Sequence, residues 1–380
     1  MGEHLACLRG WHPALAAAEL AALLPKASHR PTTSHRWVFV DGSTPPQRNE
    51  ALRIASGLQC FLEDGFIHPW DDEHAFLSVV EAYLIQHPVS GSVAVRAWRQ
   101  EGKIPGVSTS SLAGKIGGIM VRGEYDIDLE TPDYTLALIA DGPSSSLACG
   151  WMEGGGNASF GSGERRAAER PFFKPVSLDP RLARLAVNLA AGPLGTGPVV
   201  DPMTGTGGFI IEASLSGRDG MGIDIHSEMV EGARRNLAWA HGSDEHPTCS
   251  IERGDATRID DALPNNWHGN VSGFVLDPPY GRNSQGSMDA QSLLKATLES
   301  SYRTASQDAG FVLILPIKPM GERPNLPVEF EEAVELLSGS WPELLLLLKS
   351  CGWLPKSAHI EHVHKSLSRL ILLARYVPQD

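Results

Sequence analysis

Positive charge is scarce in this 380-residue chain, where 32 lysines and arginines stand against 45 aspartates and glutamates for a formal net charge of -13. The molecule as a whole repels polyanions, so any contact with nucleic acid has to come from a local basic patch. Cysteine is sparse too. Cys7, Cys60, Cys149, Cys249 and Cys351 are scattered with no CxxC pair, which fits neither a disulfide framework nor a zinc knuckle and points to a reduced, cytoplasmic setting. Long apolar runs are missing: Leu344 to Leu348 is closed by Lys349 and is too short to cross a bilayer. The Ala-rich run Pro13 to Leu24 lacks a basic flank and carries Glu19, so it reads as an amphipathic helix and not as a signal peptide. His359, His362 and His364 have no cysteine nearby, and strand alternation puts the first on the opposite face from the other two, so no metal site is expected.

Glycine, in contrast, is concentrated. Gly154-Gly155-Gly156 and Gly161-Ser162-Gly163 form a seam with few apolar residues, with no strand running in and no helix following. It divides the chain into an expected region 1–153, a linker 154–175 and a region 176–380. Before the seam the periodicity predicts strands at Leu5 to Leu8, Trp37 to Val40, Val93 to Trp98 and Tyr134 to Ala140. It predicts helices at Pro13 to Leu24, Asn49 to Phe61, Ala75 to Gln86 and Ser110 to Met120. This half has no nucleotide-cradling turn and reads as a binding module; Trp37, Trp98 and Trp151 are expected in its core or at a domain contact. After the seam, strands and helices alternate as in a doubly wound sheet, from the helix Pro180 to Ala190 to a terminal hairpin, Ile360 to His364 and Leu370 to Tyr376.

One turn in that second half has the make-up of a ligand cradle. Asp201-Pro202-Met203-Thr204-Gly205-Thr206-Gly207-Gly208 closes a strand and opens a helix. Gly205 and Gly207, with Thr206 between them, let the backbone turn sharply and approach a ligand, and the helix start offers free N–H groups. Asp224 ends the next strand about twenty residues on, where a carboxylate accepts hydrogen bonds from ribose hydroxyls, and Ile225 follows it. Asp255, before Ala256, is positioned for an adenine amino group. An isolated turn of this kind is equally compatible with a nicotinamide or flavin cofactor, with S-adenosylmethionine, or with no ligand. Asp201 favours the second, because a carboxylate repels a pyrophosphate and attracts a sulfonium with an ammonium.

The strand Val271 to Leu276 ends in Asp277-Pro278-Pro279-Tyr280-Gly281-Arg282. In isolation this is a stiff turn. Downstream of the glycine turn and the ribose acid, it suits transfer to a planar amine, whose ring-delocalised lone pair makes it a poor nucleophile. Asp277 and the Pro278 carbonyl accept its N–H groups, Pro279 stiffens the turn, and Tyr280 stacks on the base. Asn283 to Gly286 then suits a segment closing over the base.

The segments Glu169-Arg170-Pro171-Phe172-Phe173-Lys174-Pro175, DPMTGTGGFIIEA, GIDI with Asn236-Leu237, GDA, DPPYGR and His364-Lys365-Ser366-Leu367-Ser368-Arg369 together resemble the archaeal tRNA guanine-10 N2-methyltransferases over most of residues 169–376. HPALAAAELAALL, Val93 to Arg99 and Asp126 to Tyr134 resemble their THUMP module more loosely. Met203-Thr204 stands where that family often has Phe-Cys. The resemblance implies an α/β fold: an N-terminal α+β THUMP-like module with a ferredoxin-like part, then a Rossmann-like class I methyltransferase with a mostly parallel seven-stranded sheet. It implies methylation of the 2-amino group of a tRNA guanosine, with S-adenosylmethionine as donor and tRNA as partner; some relatives also bind a small zinc-binding activator protein, which stays open here.

The motif around Asp277 is shared with adenine-N6 enzymes, so ribosomal RNA or DNA as the substrate remains an alternative. A nicotinamide oxidoreductase and a catalytically silent RNA-binding protein are readings from other classes. Candidate RNA contacts are Arg165, Arg166, Arg170 and Lys174 at the seam, Arg282 after the catalytic turn, Lys365 and Arg369 around the last hairpin, and Arg96, Arg99, Lys103, Lys115 and Arg122 in the first half.

Overall fold

The computed structural model describes residues 2–154, 166–174, 177–242, 249–278, 289–320 and 326–379. They form two compact units. The first comprises Met1–Pro13, Lys26–Leu52 and Gly57–Asn157; the second comprises Ala14–Pro25, Arg53–Ser56 and Ala158–Asp380.

Alternation of apolar residues builds the first unit. Its strands are β1 (His4–Leu8), β2 (Ser28–Pro31), β3 (Trp37–Asp41), β4 (Leu58–Pro69), β5 (Ser92–Glu101), β6 (Asp126–Ile127), β7 (Tyr134–Asp141) and β8 (Ser146–Glu153). They form one sheet in the order β2-β3-β1-β4-β8-β7-β5-β6. The intervening helices are α1 (Pro13–Leu23), α2 (Pro45–Ile54), α3 (Glu73–Gln86) and α4 (Thr109–Arg122), of which most of α1 belongs to the second unit. Asp72 and Ser108 cap α3 and α4 by accepting the N–H groups of Ala75 and Ser111. Trp37 is fully buried with Leu5, Cys7, Cys60 and Leu62 on one face; Trp151 lies among Phe76, Val80 and Leu112 on the other.

The helix expected over Asn49 to Phe61 ends at Ile54, and Leu58 already begins β4. The Glu19 carboxylate stops it, accepting the Ser56 N–H at 2.9 and 3.1 Å. Beyond Gly57, Cys60 to Leu62 are needed as the buried partners of Cys7 to Leu5 in the antiparallel pair.

The second unit continues with α5 (Pro180–Ala191), β9 (Val199–Asp201), α6 (Gly208–Ser216), β10 (Gly220–Asp224), α7 (Ser227–His241), β11 (Cys249–Arg253), β12 (Val271–Leu276), α8 (Ala290–Thr304), β13 (Ala305–Ile317), α9 (Trp341–Ser350), β14 (Trp353–His364) and β15 (Leu367–Tyr376). The sheet runs β11-β10-β9-β12-β13-β15-β14. From β11 to β13 the pairing is parallel, and β15 is antiparallel to both its neighbours. This is the expected mostly parallel, seven-stranded α/β sheet. Strand order reverses between β9 and β12, and in such sheets ligands bind beyond the carboxyl ends at that reversal.

Helices cover both faces. Ile210, Ile211, Val230, Ala233 and Leu237 pack with Ile251 on one side, while Leu298, Leu344 and Leu348 meet Phe274, Phe311 and Trp353 on the other. Under α5, a β-carbon on Gly310 would lie 2.3 Å from the Ala190 carbonyl oxygen, so glycine is required for this approach.

Buried polar groups tie residues 14–25 and 53–56 to this unit. Asn188 donates to the Glu19 carboxylate at 2.7 Å and to the Ile54 carbonyl at 2.9 Å. Arg184 pairs with Glu212 at 3.1 Å, both side chains being no more than 3% exposed, and donates to the Ile54 carbonyl. Glu212 sits on α6, the helix opened by the glycine turn, so this network supports the site from below.

Candidate active site

β9 ends on Asp201, and the chain turns through two left-handed residues, Gly205 at φ 51° and Gly207 at φ 84°, before α6 starts. Only glycine adopts these values without a steric cost. Thr204 donates its N–H to the Ile223 carbonyl at 2.8 Å, and Gly207 donates to the Thr204 carbonyl at 2.8 Å, which fixes the loop against β10.

Asp224, at the end of β10, accepts the Gly205 N–H at 3.0 Å with one oxygen and the His226 N–H at 2.9 Å with the other. A carboxylate has about four lone-pair sites, so each oxygen can still accept a ribose hydroxyl. Ile225 beside it is 57% exposed, an apolar surface next to this carboxylate. Asp255 follows β11, is exposed, and accepts the Thr257 N–H and hydroxyl, both at 2.9 Å, while Ala256 is buried. The Gly254 N–H donates to the Asp224 carbonyl at 3.1 Å and brings these two strand ends together.

Asp201 is buried, and its carboxyl is pushed well above the usual carboxylate range. Burial is the largest cause; the Met203 N–H hydrogen bond and the nearby Thr204 hydroxyl oppose it, and the negative charges of Asp224 and Asp277 add to it. Pro202 follows Asp201 and is buried as well. Three carboxylates, from β9, β10 and the end of β12, therefore share one electrostatic environment at the strand reversal. Asp277 and Pro278 come directly after β12 and are half-buried. Pro279, Tyr280, Arg282 and the segment Asn283 to Gly286 lie outside the described residues, as does Arg165.

A clamp not foreseen from chemistry holds the glycine turn in place. Asn236 is fully buried and donates to the Thr206 carbonyl at 2.9 Å and to the Phe172 carbonyl at 2.7 Å, while accepting the Phe172 N–H at 2.8 Å. The Ser177 and Thr206 hydroxyls lie 3.2 Å apart. The Phe172 ring rests on α7 where a β-carbon on Gly232 would come within 2.1 Å of it. A glycine inside a helix is the signal that marks such an approach.

The cations expected to reach RNA differ in accessibility. Arg166 and Lys365 are exposed. Lys174 pairs with Glu228 at 2.9 Å and lies 5.0 Å from the Phe172 ring centroid. Arg369 pairs with Glu361 at 3.2 Å. Arg170 is 4% exposed and packs at the start of α6 beside Gly208. In the first unit Lys115 pairs with Glu73, and Arg96 donates to the Leu129 carbonyl. His359 is buried while His362 and His364 are exposed, as alternation predicts.

The chain's own residues fit S-adenosylmethionine. A sulfonium and an ammonium match three clustered carboxylates, and the left-handed glycines leave the backbone open to a close ligand. The family model described as UPF0020, RMKL-like methyltransferase domain, matches residues 167–323. Over this segment the chain matches a methyltransferase domain. It is also 34% identical over 232 residues to a protein of Pyrococcus abyssi named tRNA (guanine(10)-N2)-dimethyltransferase, covering 61% of this chain and 66% of that protein. A protein of the same name from Methanothermobacter thermautotrophicus is 35% identical over 156 residues, 40% of this chain and 43% of its own length. The matches thus span about two-thirds of the first relative and under half of the second. Among solved structures, TrmN from Thermus thermophilus aligns over 99% of this chain and 100% of its own, with 18% identity and a TM-score of 0.47.

Proposed function

We propose that this chain transfers a methyl group from S-adenosylmethionine to the exocyclic 2-amino group of a guanosine in tRNA, at position 10, giving N2-methyl- and N2,N2-dimethylguanosine. The observation that carries this reading is the convergence of Asp201, Asp224 and Asp277 around the glycine turn. Such a group of carboxylates attracts a cationic donor and repels the pyrophosphate of a nicotinamide dinucleotide. The names of the archaeal relatives supply the base and the nucleic acid.

Bound S-adenosylmethionine supplies a methyl group made electrophilic by its sulfonium. Asp201 neutralises the ammonium of the methionine part, and Asp224 holds the ribose while keeping Gly205 in place. Ile225 and the Asp255-Ala256 turn border the adenine. Asp277 and the Pro278 carbonyl accept the two N–H bonds of the guanine amine, orient its lone pair and offset the positive charge that develops on nitrogen. Pro279 stiffens that turn and Tyr280 stacks on the base.

The acceptor tRNA is held by the exposed Arg166 and Lys365, with Arg165, Arg282, Lys174 and Arg369 as further contacts; Arg170, 4% exposed, is excluded from that role. The first unit serves as a THUMP-like module that positions the RNA. The enzyme works in the cytoplasm; among the described residues no helix is long and apolar enough to cross a membrane. A small zinc-binding protein is a candidate activator.

Incubation with methyl-labelled donor and total tRNA, followed by digestion to nucleosides, tests the reading. Label in N2-methylguanosine and N2,N2-dimethylguanosine is expected. Label in N6-methyladenosine, or in ribosomal RNA or DNA in preference to tRNA, would refute the substrate assignment, and no rate increase on adding the zinc protein would remove it as a partner.

A further inference from the structure

Within the first unit, the carboxyl ends of α3 and α4 border an open cavity of about 660 Å³. Leu84, Ile85, Pro88 and Val89 line one side, and Ile119 and Tyr125 line the other. The Tyr125 hydroxyl donates to the Leu84 carbonyl at 3.2 Å and joins the two helix ends. Ile85, on this cavity, is 75% exposed.

The neighbouring chain carries the charge. From Glu124 to Tyr134, acids alternate with large apolar residues: Glu124, Asp126, Asp128, Glu130 and Asp133 against Tyr125, Ile127, Leu129 and Tyr134, without a lysine or arginine. Leu129 is 64% exposed, Tyr134 41% and Ile127 37%. Part of this run is β6, at the end of the eight-stranded sheet. Glu81 also lines the cavity. Two cations stand nearby, Arg122 on the cavity wall and Arg96, which donates to the Leu129 carbonyl. The carboxyl ends of both helices add partial negative charge.

We propose that this face docks a protein segment in which lysine or arginine alternates with large apolar residues. Ile85 lies on the cavity, and Ile127 and Leu129 follow directly after Asp126 on its wall; exposed apolar side chains on adjoining segments mark an interaction site. An RNA backbone is disfavoured by six carboxylates, and a second copy of the chain would bring the same charges against themselves. A purely apolar partner would bury those carboxylates unpaired. A segment of alternating basic and apolar residues satisfies both kinds of group, as does complementary pairing at interfaces generally.

The test uses the full-length protein with labelled isoleucine and leucine methyl groups, titrated with a synthetic peptide of alternating lysine and leucine. Saturable shifts are expected at Ile85, Ile127 and Leu129. In the double variant Glu124→Lys, Asp126→Lys, binding should weaken roughly tenfold, about 1.4 kcal/mol, while Glu343→Lys in the other unit leaves it unchanged. Unaltered methyl signals of Leu112, Ile116 and Ile119, buried in the same unit, show that the double variant is folded. Equal peptide affinity of variant and parent, equal binding of a peptide of alternating glutamate and leucine, or shifts of the same methyls by tRNA would each overturn the proposal.

Discussion

Both units pack helices on a large sheet, yet only the second gathers functional groups at its strand ends. In the seven-stranded sheet, β9, β10, β11 and β12 run parallel, so Asp201, Asp224, Asp255 and Asp277 all emerge at the same end. In the eight-stranded sheet, β1, β3, β4 and β8 pair antiparallel, and successive strands send their ends in opposite directions. One run of its acids lies instead at the sheet edge that includes β6. Parallel pairing concentrates chemistry at one place, and antiparallel pairing spreads it around a rim. The second unit buries Arg184, Glu212, Asn188 and Glu19 in one network, and the exposed pair of Lys115 with Glu73 in the first unit is its opposite case.

The largest difference should appear in stability. Glu212→Ala leaves the Arg184 guanidinium buried without its carboxylate and should cost about 3–5 kcal/mol; Glu73→Ala breaks an exposed pair and should cost less than about 1 kcal/mol. Chemical denaturation followed by circular dichroism compares them, and equal losses would erase the contrast between the units.

A smaller effect separates two clamps of similar build. Asn236 spans Thr206 and Phe172; Tyr83 donates its hydroxyl to the Glu63 carbonyl at 2.7 Å and accepts the Trp151 N–H at 2.9 Å. Asn236→Asp sets a carboxylate against two carbonyls and should weaken donor binding about tenfold, the loss of one or two hydrogen bonds. Tyr83→Phe should leave donor affinity unchanged. Calorimetric titration of both variants decides whether the glycine turn depends on its clamp.

The smallest signal is a proton count. The carboxyl of Asp201 is raised in the folded state, so its contribution to stability is full below the unfolded value of about 3.9 and is lost as pH rises through the folded value. Asp201→Asn should remove this loss and stabilise the ligand-free protein at neutral pH. A cationic donor lowers the same pKa, so its binding should release up to about one proton, seen as different heats in phosphate and Tris buffers.

The second unit was the more legible one because glycine and proline punctuate it. The strand Val271 to Leu276 appears where it was expected, the helix expected over Pro180 to Ala190 runs to Ala191, and Asp224 and Asp277 stand at strand ends. In the first unit β2, β4, β6 and β8 escaped notice. β2 is a four-residue, mostly exposed strand with no apolar alternation to read, and β4 begins inside what reads as a helix because Leu58, Cys60, Phe61 and Leu62 also suit a helical face. The placement of residues 14–25 and 53–56 with the second unit had no local signal, since it rests on contacts 130 or more residues apart, as between Arg184 and Ile54. Asn236 was visible only as part of a family resemblance, and Gly232 in the middle of α7 was the one local sign of the chain packed against it.

In the proposed mechanism the Asp277 carboxylate acts on the acceptor amine and not on the donor. Single-turnover methylation by Asp277→Ala, with donor affinity measured on the same preparation by calorimetry, tests it directly. Donor binding should be unchanged or slightly altered, and the methyl-transfer rate to tRNA should fall about 10²–10³-fold, the usual loss for a charge-stabilising group. A near-normal transfer rate in that variant would contradict it.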